Sequence, residues 1–485
     1  MPTKNIAVST LWQLVSQITM AALSILTVKF VAIGLSKELA GNYNSAYGFL
    51  QLFGILADFG LYAVSVREVS AAKTDSEKEK VLGALIIIRC VILTLSLASA
   101  LLFVWLMPAW KGTPLPLGVT IASLVPFFTL LAGIIRTIFQ VQYKMHYVFI
   151  AEVTQRIFTV LAIGSIIAVG VRGSTDLHVY HLFLFYGGVG AFILFFISLM
   201  FGNRLMKIRP NIDVPTLKRI LRAATPYGVA FFCVALYRQF DITMIALLRD
   251  DYEIQNAYYG FVVRMTDVGF LIPTFLLNST LPTLSERESK GEDTRSLLGK
   301  TFLVLLVLGS TSALFSFIWA RPLIALLTSE AYLSTALTPG SDTALRLMSA
   351  PLFLNAIVLY GFYVLLTKHK WRQLVCTLLV GAVISLSLNI WLIPIHGFVG
   401  AASVSIFVHC ILALLLLPQS LKVMPISLTS MQIKQWLVYS ALLAAGLWLL
   451  LPLLQSELFT ILGLIIMTAW MGVAILITKL HKSVI

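Results

Sequence analysis

Fourteen long apolar runs, parted by short polar stretches, fill almost the whole chain: about 8–34, 40–66, 81–107, 115–138, 147–170, 179–202, 224–247, 255–282, 298–320, 342–366, 371–394, 397–418, 432–453 and 456–478. Each is close to the roughly 20 residues that a helix needs to cross ~30 Å of hydrocarbon. The pattern predicts an all-α, polytopic integral membrane protein of about 14 transmembrane helices. The polar stretches alternate in charge. Those assigned to one side, with the adjoining ends of the runs, carry 24 Lys and Arg residues, whereas the opposite side has only Lys37, Lys111, Arg172, Arg249 and Arg321. Basic residues mark the cytoplasmic side of a span. Both termini are therefore expected in the cytoplasm, with the chain in a bacterial cytoplasmic (inner) membrane. The run that begins near residue 8 is too long, and too polar at Gln13 and Gln17, for a cleaved leader, and is read as the first permanent helix.

The longest cytoplasmic stretch, 203–223, holds Arg204, Lys207, Arg209, Lys218, Arg219 and Arg222, and its Val214-Pro215-Thr216-Leu217 segment suggests a short interfacial helix. On either side of it a repeat is visible. Tyr47-Gly48-Phe49 in the second run recurs as Tyr259-Gly260-Phe261 in the eighth, and Val81-Leu82-Gly83 resembles Leu297-Leu298-Gly299. The expected organisation is an N-terminal six-helix lobe (1–202), the linker (203–223), a C-terminal six-helix lobe (224–418) in parallel pseudo-repeat, and two additional spans (419–485).

Composition supports this reading: 59% of residues are hydrophobic and only 12% charged, more apolar surface than a soluble fold of this length hides. The net charge of +14 lies in cytoplasmic stretches, where it orients the chain and attracts anionic headgroups; nucleic acid is not an expected partner. Cys90, Cys233, Cys376 and Cys410 all fall within apolar runs without a CxxC spacing, which argues against a disulfide frame or a metal site. No cofactor is expected. No phosphate loop, HExxH or nucleophile elbow occurs, and an enzyme is not expected.

Ionisable residues inside the spans cost several kcal/mol each if they face lipid, so they mark a protein-lined or wet interior. They are Lys29, Asp58, Arg89, Glu152, Arg156, Arg238, Asp241, Arg264, Asp267 and Arg346. Glu152/Arg156 are four apart, and Arg238/Asp241 and Arg264/Asp267 are each three apart, so each pair is expected to share a helix face; self-neutralisation and a binding role both remain open. Lys29 lies near a span end, within snorkelling reach of the interface. Arg89 has no acid within four residues and is the leading candidate for an anion-binding cation. Asp58, in Ala57-Asp58-Phe59-Gly60, reads either as a hydrogen-bonded carboxylate beside a glycine bend or, with Asp241, as an ion-coupling group. Pro226, Pro273, Pro282 and Pro351 free backbone carbonyls within spans, as hinges require.

Several of these segments carry a resemblance. Ala57-Asp58-Phe59-Gly60-Leu61 with Arg67-Glu68, Phe139-Gln140-Val141-Gln142-Tyr143-Lys144-Met145, and Asn389-Ile390-Trp391-Leu392-Ile393-Pro394 followed by Gly397-Phe398-Val399-Gly400-Ala401-Ala402 resemble stretches of the Wzx-type polysaccharide (O-antigen/oligosaccharide-repeat) flippases. That family belongs to the multidrug/oligosaccharidyl-lipid/polysaccharide exporter superfamily. The resemblance implies two six-helix lobes around a cationic cavity that carries an undecaprenyl-diphosphate-linked glycan between leaflets by alternating access. It also implies a polysaccharide polymerase and a chain-length regulator as partners beside membrane lipids. Under it, Arg89, Arg156, Arg238 and Arg264 are expected at the diphosphate or along its path, and Asp58 and Asp241 in ion coupling. Fourteen spans are equally a feature of lipid II flippases of the MurJ type, which stay as an alternative. A multidrug cation antiporter is disfavoured by the excess of intramembrane cations, and a glycosyltransferase or polymerase by the lack of a large outer loop.

Overall fold

A computed structural model describes residues 2–484 except 208, 209, 211 and 291; Arg209, one of the linker cations, lies outside the described residues. Among those described, regular structure is helical, and the chain divides into two compact units, residues 1–257 and 258–485.

The first unit contains α1 (Pro2–Gly34), α2 (Lys37–Asp58), α3 (Leu61–Ala71), α4 (Asp75–Leu106), α5 (Leu115–Ala122), α6 (Leu124–Val141), α7 (Met145–Ala168), α8 (Leu177–Leu205), α9 (Val214–Arg238), α10 (Asp241–Leu248) and the first turns of α11 (Tyr252–Ser289). Two departures from the sequence reading occur around α9. The segment expected as a short interfacial helix is the start of α9 itself, with Pro215 in its first turn, where a missing N–H costs nothing. At its other end α9 stops at Arg238, and α10 starts anew at Asp241. Arg238 and Asp241 are therefore not successive turns of one helix face, as their spacing suggested.

The second unit holds the rest of α11, then α12 (Arg295–Ile318), α13 (Ala320–Leu327), α14 (Ser341–Thr367), α15 (Trp371–Val423), α16 (Ser430–Leu450), α17 (Glu457–Ile477) and α18 (Leu480–Val484). α15 is two spans run together: Gly397 (φ 55°, ψ −136°) breaks it three residues after Pro394, a conformation open to glycine because it has no Cβ. α16 is attached to α12 and to the α12–α13 junction through Thr311 and Tyr439, 2.9 Å apart, and through the buried Trp319, whose indole N–H donates to the Leu447 carbonyl at 2.8 Å; α17 meets the Trp319 ring at Gly463.

Eleven helical segments among the described residues are long and apolar enough to cross a membrane. Counting α15 as two and adding α2 and α11, whose lengths of 22 and 38 residues also suffice at 1.5 Å per residue, gives the fourteen expected from sequence. The protein is a multi-pass membrane protein of all-α fold.

Candidate functional site

The sequence at the end of α2 explains the first polar focus. Asp58 closes the helix, Phe59 (φ 44°) and Gly60 (φ 70°) both take the left-handed conformation, and α3 restarts at Leu61. Two consecutive left-handed residues cannot continue an α-helix, so the Ala57 carbonyl loses its usual N–H partner inside an apolar bundle. Arg89, from α4, meets that need. Its Nη1 donates to the Ala57 carbonyl at 3.2 Å while Nη2 lies 2.7 Å from Asp58 Oδ1. The residue is 1% exposed, whereas the Asp58 side chain remains 29% exposed. The two charged residues that seemed isolated along their own helices are partners across helices.

The break is packed as well as strapped. A Cβ at Gly60 would lie 2.5 Å from Tyr227 Cβ, and one at Gly228 would lie 2.8 Å from the Phe59 ring, so α9 approaches the break through its own glycine, two residues after Pro226.

A second focus joins α1, α3, α6 and α7. Glu152 on α7 receives Arg136 Nη1 at 2.8 Å and the Ser16 hydroxyl at 2.6 Å. The Arg136 guanidinium also sits over the Tyr62 ring at 5.8 Å, and the Tyr62 hydroxyl donates to Gln140. Sequence reasoning weighed Glu152 only against Arg156, which lies half-buried one turn on, and counted Arg136 with the cytoplasmic cations. No spacing rule finds such a pair. The available signal was an arginine two residues inside the end of an apolar run.

The third focus is polar and uncharged apart from Glu253. The Asn42 amide donates to Glu253 at 2.9 Å and accepts from the Tyr252 hydroxyl at 3.0 Å. Asn44 donates to the Asn256 carbonyl at 3.1 Å, and Asn256 donates to the Ser45 hydroxyl and the Ile242 carbonyl at 2.9 and 3.0 Å. Trp110 adds an indole bond to the Ala246 carbonyl at 2.7 Å. These contacts bind α2 to α10 and the start of α11. The glycines of Gly41-Asn42-Tyr43-Asn44-Ser45-Ala46-Tyr47-Gly48 let the backbones meet: a Cβ at Gly41 would lie 2.5 Å from the Glu253 carbonyl carbon, and one at Gly48 would lie 2.6 Å from Ile242.

The remaining sequence candidates divide between the units. Arg156 on α7, Arg238 at the end of α9 and the 7%-exposed Asp241 belong to the first. Arg264 is on α11 within the second unit, half-buried, with Asp267 one turn on. Between the end of α3 and the start of α9, Glu68 accepts from Arg67 at 3.1 Å and from Arg219 at 3.3 Å.

A family model described as polysaccharide biosynthesis protein matches residues 4–288, more than half of the chain and including all three foci. The chain belongs to this family. No curated protein sequence matches it. Among solved structures, the lipid II flippase MurJ in an inward closed conformation is similar over 96% of this chain and 98% of its own, with a TM-score of 0.71 at 14% identity. An inward-facing multidrug resistance MATE transporter of the MOP superfamily is similar over 85% and 98%, with a TM-score of 0.65 at 12% identity. A MOP-superfamily transporter from Pyrococcus furiosus, titled for the reverse polarity of its binding pocket, is similar over 86% and 93%, with a TM-score of 0.51 at 12% identity. The family member described here therefore has the fold of these transporters.

Proposed function

We propose that the protein moves an undecaprenyl-diphosphate-linked oligosaccharide repeat unit from the cytoplasmic to the outer leaflet by alternating access, for surface polysaccharide assembly. The family match over 4–288 carries this reading, and the fold is compatible with it. The physics is consistent. A diphosphate and its glycan cannot cross hydrocarbon unaided, whereas cations held by a protein wall offset the loss of water around the phosphates. With Arg136 included, the spans hold seven cations, Lys29, Arg89, Arg136, Arg156, Arg238, Arg264 and Arg346, against the four acids Asp58, Glu152, Asp241 and Asp267. That balance favours an anionic cargo over a cationic drug. Arg156, Arg238 and Arg264 are proposed along the diphosphate's path. The buried Asp241 is proposed as the ion-coupling carboxylate, with Asp58, reached by Arg89, as a second. The six-helix lobes 1–202 and 224–418, with the linker 203–223 between them, are proposed as the moving bodies, and the two additional spans (419–485) as an appendage. Both termini are proposed to lie in the cytoplasm, on the excess of basic residues in the stretches of that side.

A second reading, transport of lipid II, is favoured by one observation: the MurJ likeness extends over 96% of this chain, against 85% for the MATE transporter. One assay tests both. The purified protein is reconstituted in liposomes with a fluorescent polyprenyl-diphosphate oligosaccharide or with fluorescent lipid II, and the label's exposure to an external glycan-binding protein is followed. Faster exposure of the oligosaccharide than in protein-free liposomes supports the first reading. Acceleration of lipid II alone selects the second, and no acceleration of either overturns both.

A further inference from the structure

We infer that Arg89 is a positioning residue and not a cargo-binding one: together with Asp58 it straps a two-residue hinge, Phe59-Gly60, between α2 and α3. The inference concerns the same protein interior as the flippase reading, but its evidence and its decisive readout are independent of any cargo.

Four observations converge. The Phe59-Gly60 pair divides α2 from α3 with two left-handed residues, one of which is not glycine. A left-handed non-glycine residue is strained by its Cβ and persists only where its surroundings impose it. Arg89 supplies that imposition, since it holds both the last carboxylate of α2 and the carbonyl that the break leaves without an N–H. A cation at a helix C-terminus also opposes the partial negative charge of the carbonyls there. At 1% exposure, with Nη1 and Nη2 engaged within the bundle, Arg89 presents no guanidinium edge to a phosphate. Finally, the break rests on Tyr227-Gly228 of α9, just beyond Pro226, which removes a backbone bond from that helix too. Two weak points in different spans thus lie against each other, and a change of bend in one is transmitted to the other. Leu61, Val64 and Ala224, all buried in one apolar cluster, extend this contact towards the cytoplasmic end.

The roles of strap and cargo contact separate cleanly in a double-mutant cycle. In a strap, Arg89→Met leaves a part-exposed Asp58 without its cation, and Asp58→Leu leaves a buried Arg89 without its carboxylate. The double variant Arg89→Met/Asp58→Leu removes both charges, and removing one partner of a buried pair is typically more costly than replacing both. A cargo contact behaves otherwise: Asp58→Leu would free the guanidinium, and the double variant would be as inactive as Arg89→Met.

The test uses the full-length protein in lipid nanodiscs, without cargo. Hydrogen–deuterium exchange is followed on peptides covering residues 55–66 for wild type, Arg89→Lys, both single variants above and the double variant. The expected result is exchange in 55–66 at least tenfold faster in each single variant and in Arg89→Lys, little change in peptides from α7 and α8, and partial recovery of protection in the double variant. Arg89→Lys guards against a trivial folding defect, because it keeps the charge and most of the volume while losing the two-pronged contact. Unchanged exchange at 55–66 in Arg89→Lys, or a double variant no better than the worse single one, overturns the inference. Either outcome is obtained whether or not the protein proves to move a glycan, so the strap and the flippase reading fail separately.

Discussion

Replacing Gly41 by valine is expected to pry α2 from the first turn of α11. The new Cβ would lie 2.5 Å from the carbonyl carbon and 3.0 Å from the Cα of Glu253, and these are backbone atoms that no rotamer change moves aside. Overpacking of this kind costs about 1–3 kcal/mol where the structure can shift to accommodate it. The shift would lengthen the bonds from Asn42 to Glu253, from Tyr252 to Asn42 and from Asn44 to Asn256. Side-chain bonds between membrane helices average ~0.6 kcal/mol each, so the total is about 3–5 kcal/mol. Gly133→Val is the control, because no heavy atom lies within 4 Å of the corresponding Cβ. The assay is thermal unfolding of the purified protein in detergent, combined with maleimide labelling of an introduced Asn256→Cys in a background lacking the four native cysteines. Gly41→Val should lower the melting temperature clearly and speed labelling at residue 256, which is 0% exposed in the parent structure. If Gly41→Val melts with Gly133→Val and labels no faster, then the close approach of these backbones is not what holds the seam.

Three further outcomes are expected. Arg136→Ala should destabilise the protein by about 1–3 kcal/mol, less than the 3–5 typical of a fully buried pair because the Arg136 side chain is 30% exposed; in a thermal-shift cycle Arg136→Ala/Glu152→Ala should lose less than the two single losses combined. Gly397→Ala should cost about 1–3 kcal/mol of backbone strain by forbidding the kink in α15, read as a lowered melting temperature with normal membrane insertion. In the loop after α10, hydrogen bonding from Arg249 holds the Asp251 carboxyl below the usual carboxylate range. A depressed carboxyl stabilises the folded state above its unfolded pKa of about 3.9 and loses that contribution as pH falls through the lower folded value. The stability difference between wild type and Asp251→Asn should therefore be constant from neutral pH to about 5 and shrink as pH falls further through the lower folded value. Its size should be at most ~1 kcal/mol, since Asp251 is exposed.

The number of spans was legible because one property, length of apolar run, decides it in a bilayer. The kinks were half legible. Gly60 and Gly397 stand out beside Asp58 and Pro394 as places where a helix can be interrupted, and both interruptions occur there. Phe59 in a left-handed conformation was not readable, because nothing local favours it; the partners that impose it, Arg89 and Tyr227, are 30 and 168 positions away. The same reason explains the charge pairs. A spacing of three or four locates partners only while the helix continues, and it stops between Arg238 and Asp241. Reading along a helix also cannot see Arg136, sixteen residues before Glu152 in sequence but opposite it in space.

Charge in a helical bundle is neutralised across helices as readily as along them, and this changes which intramembrane residues can serve a cargo. A guanidinium that is closed off by its neighbours while it holds a carboxylate and a freed carbonyl is out of reach of a phosphate unless the bundle opens around it. Arg89 is in that position, and Arg136 is partly so, since it is bound to Glu152 while its side chain stays 30% exposed. Burial and cross-helix pairing therefore order the candidates differently from sequence isolation. The residue with no acid nearby in its own helix becomes the most firmly committed, and the search for a diphosphate contact moves to Arg156, Arg238 and Arg264, with Arg136 as the added candidate.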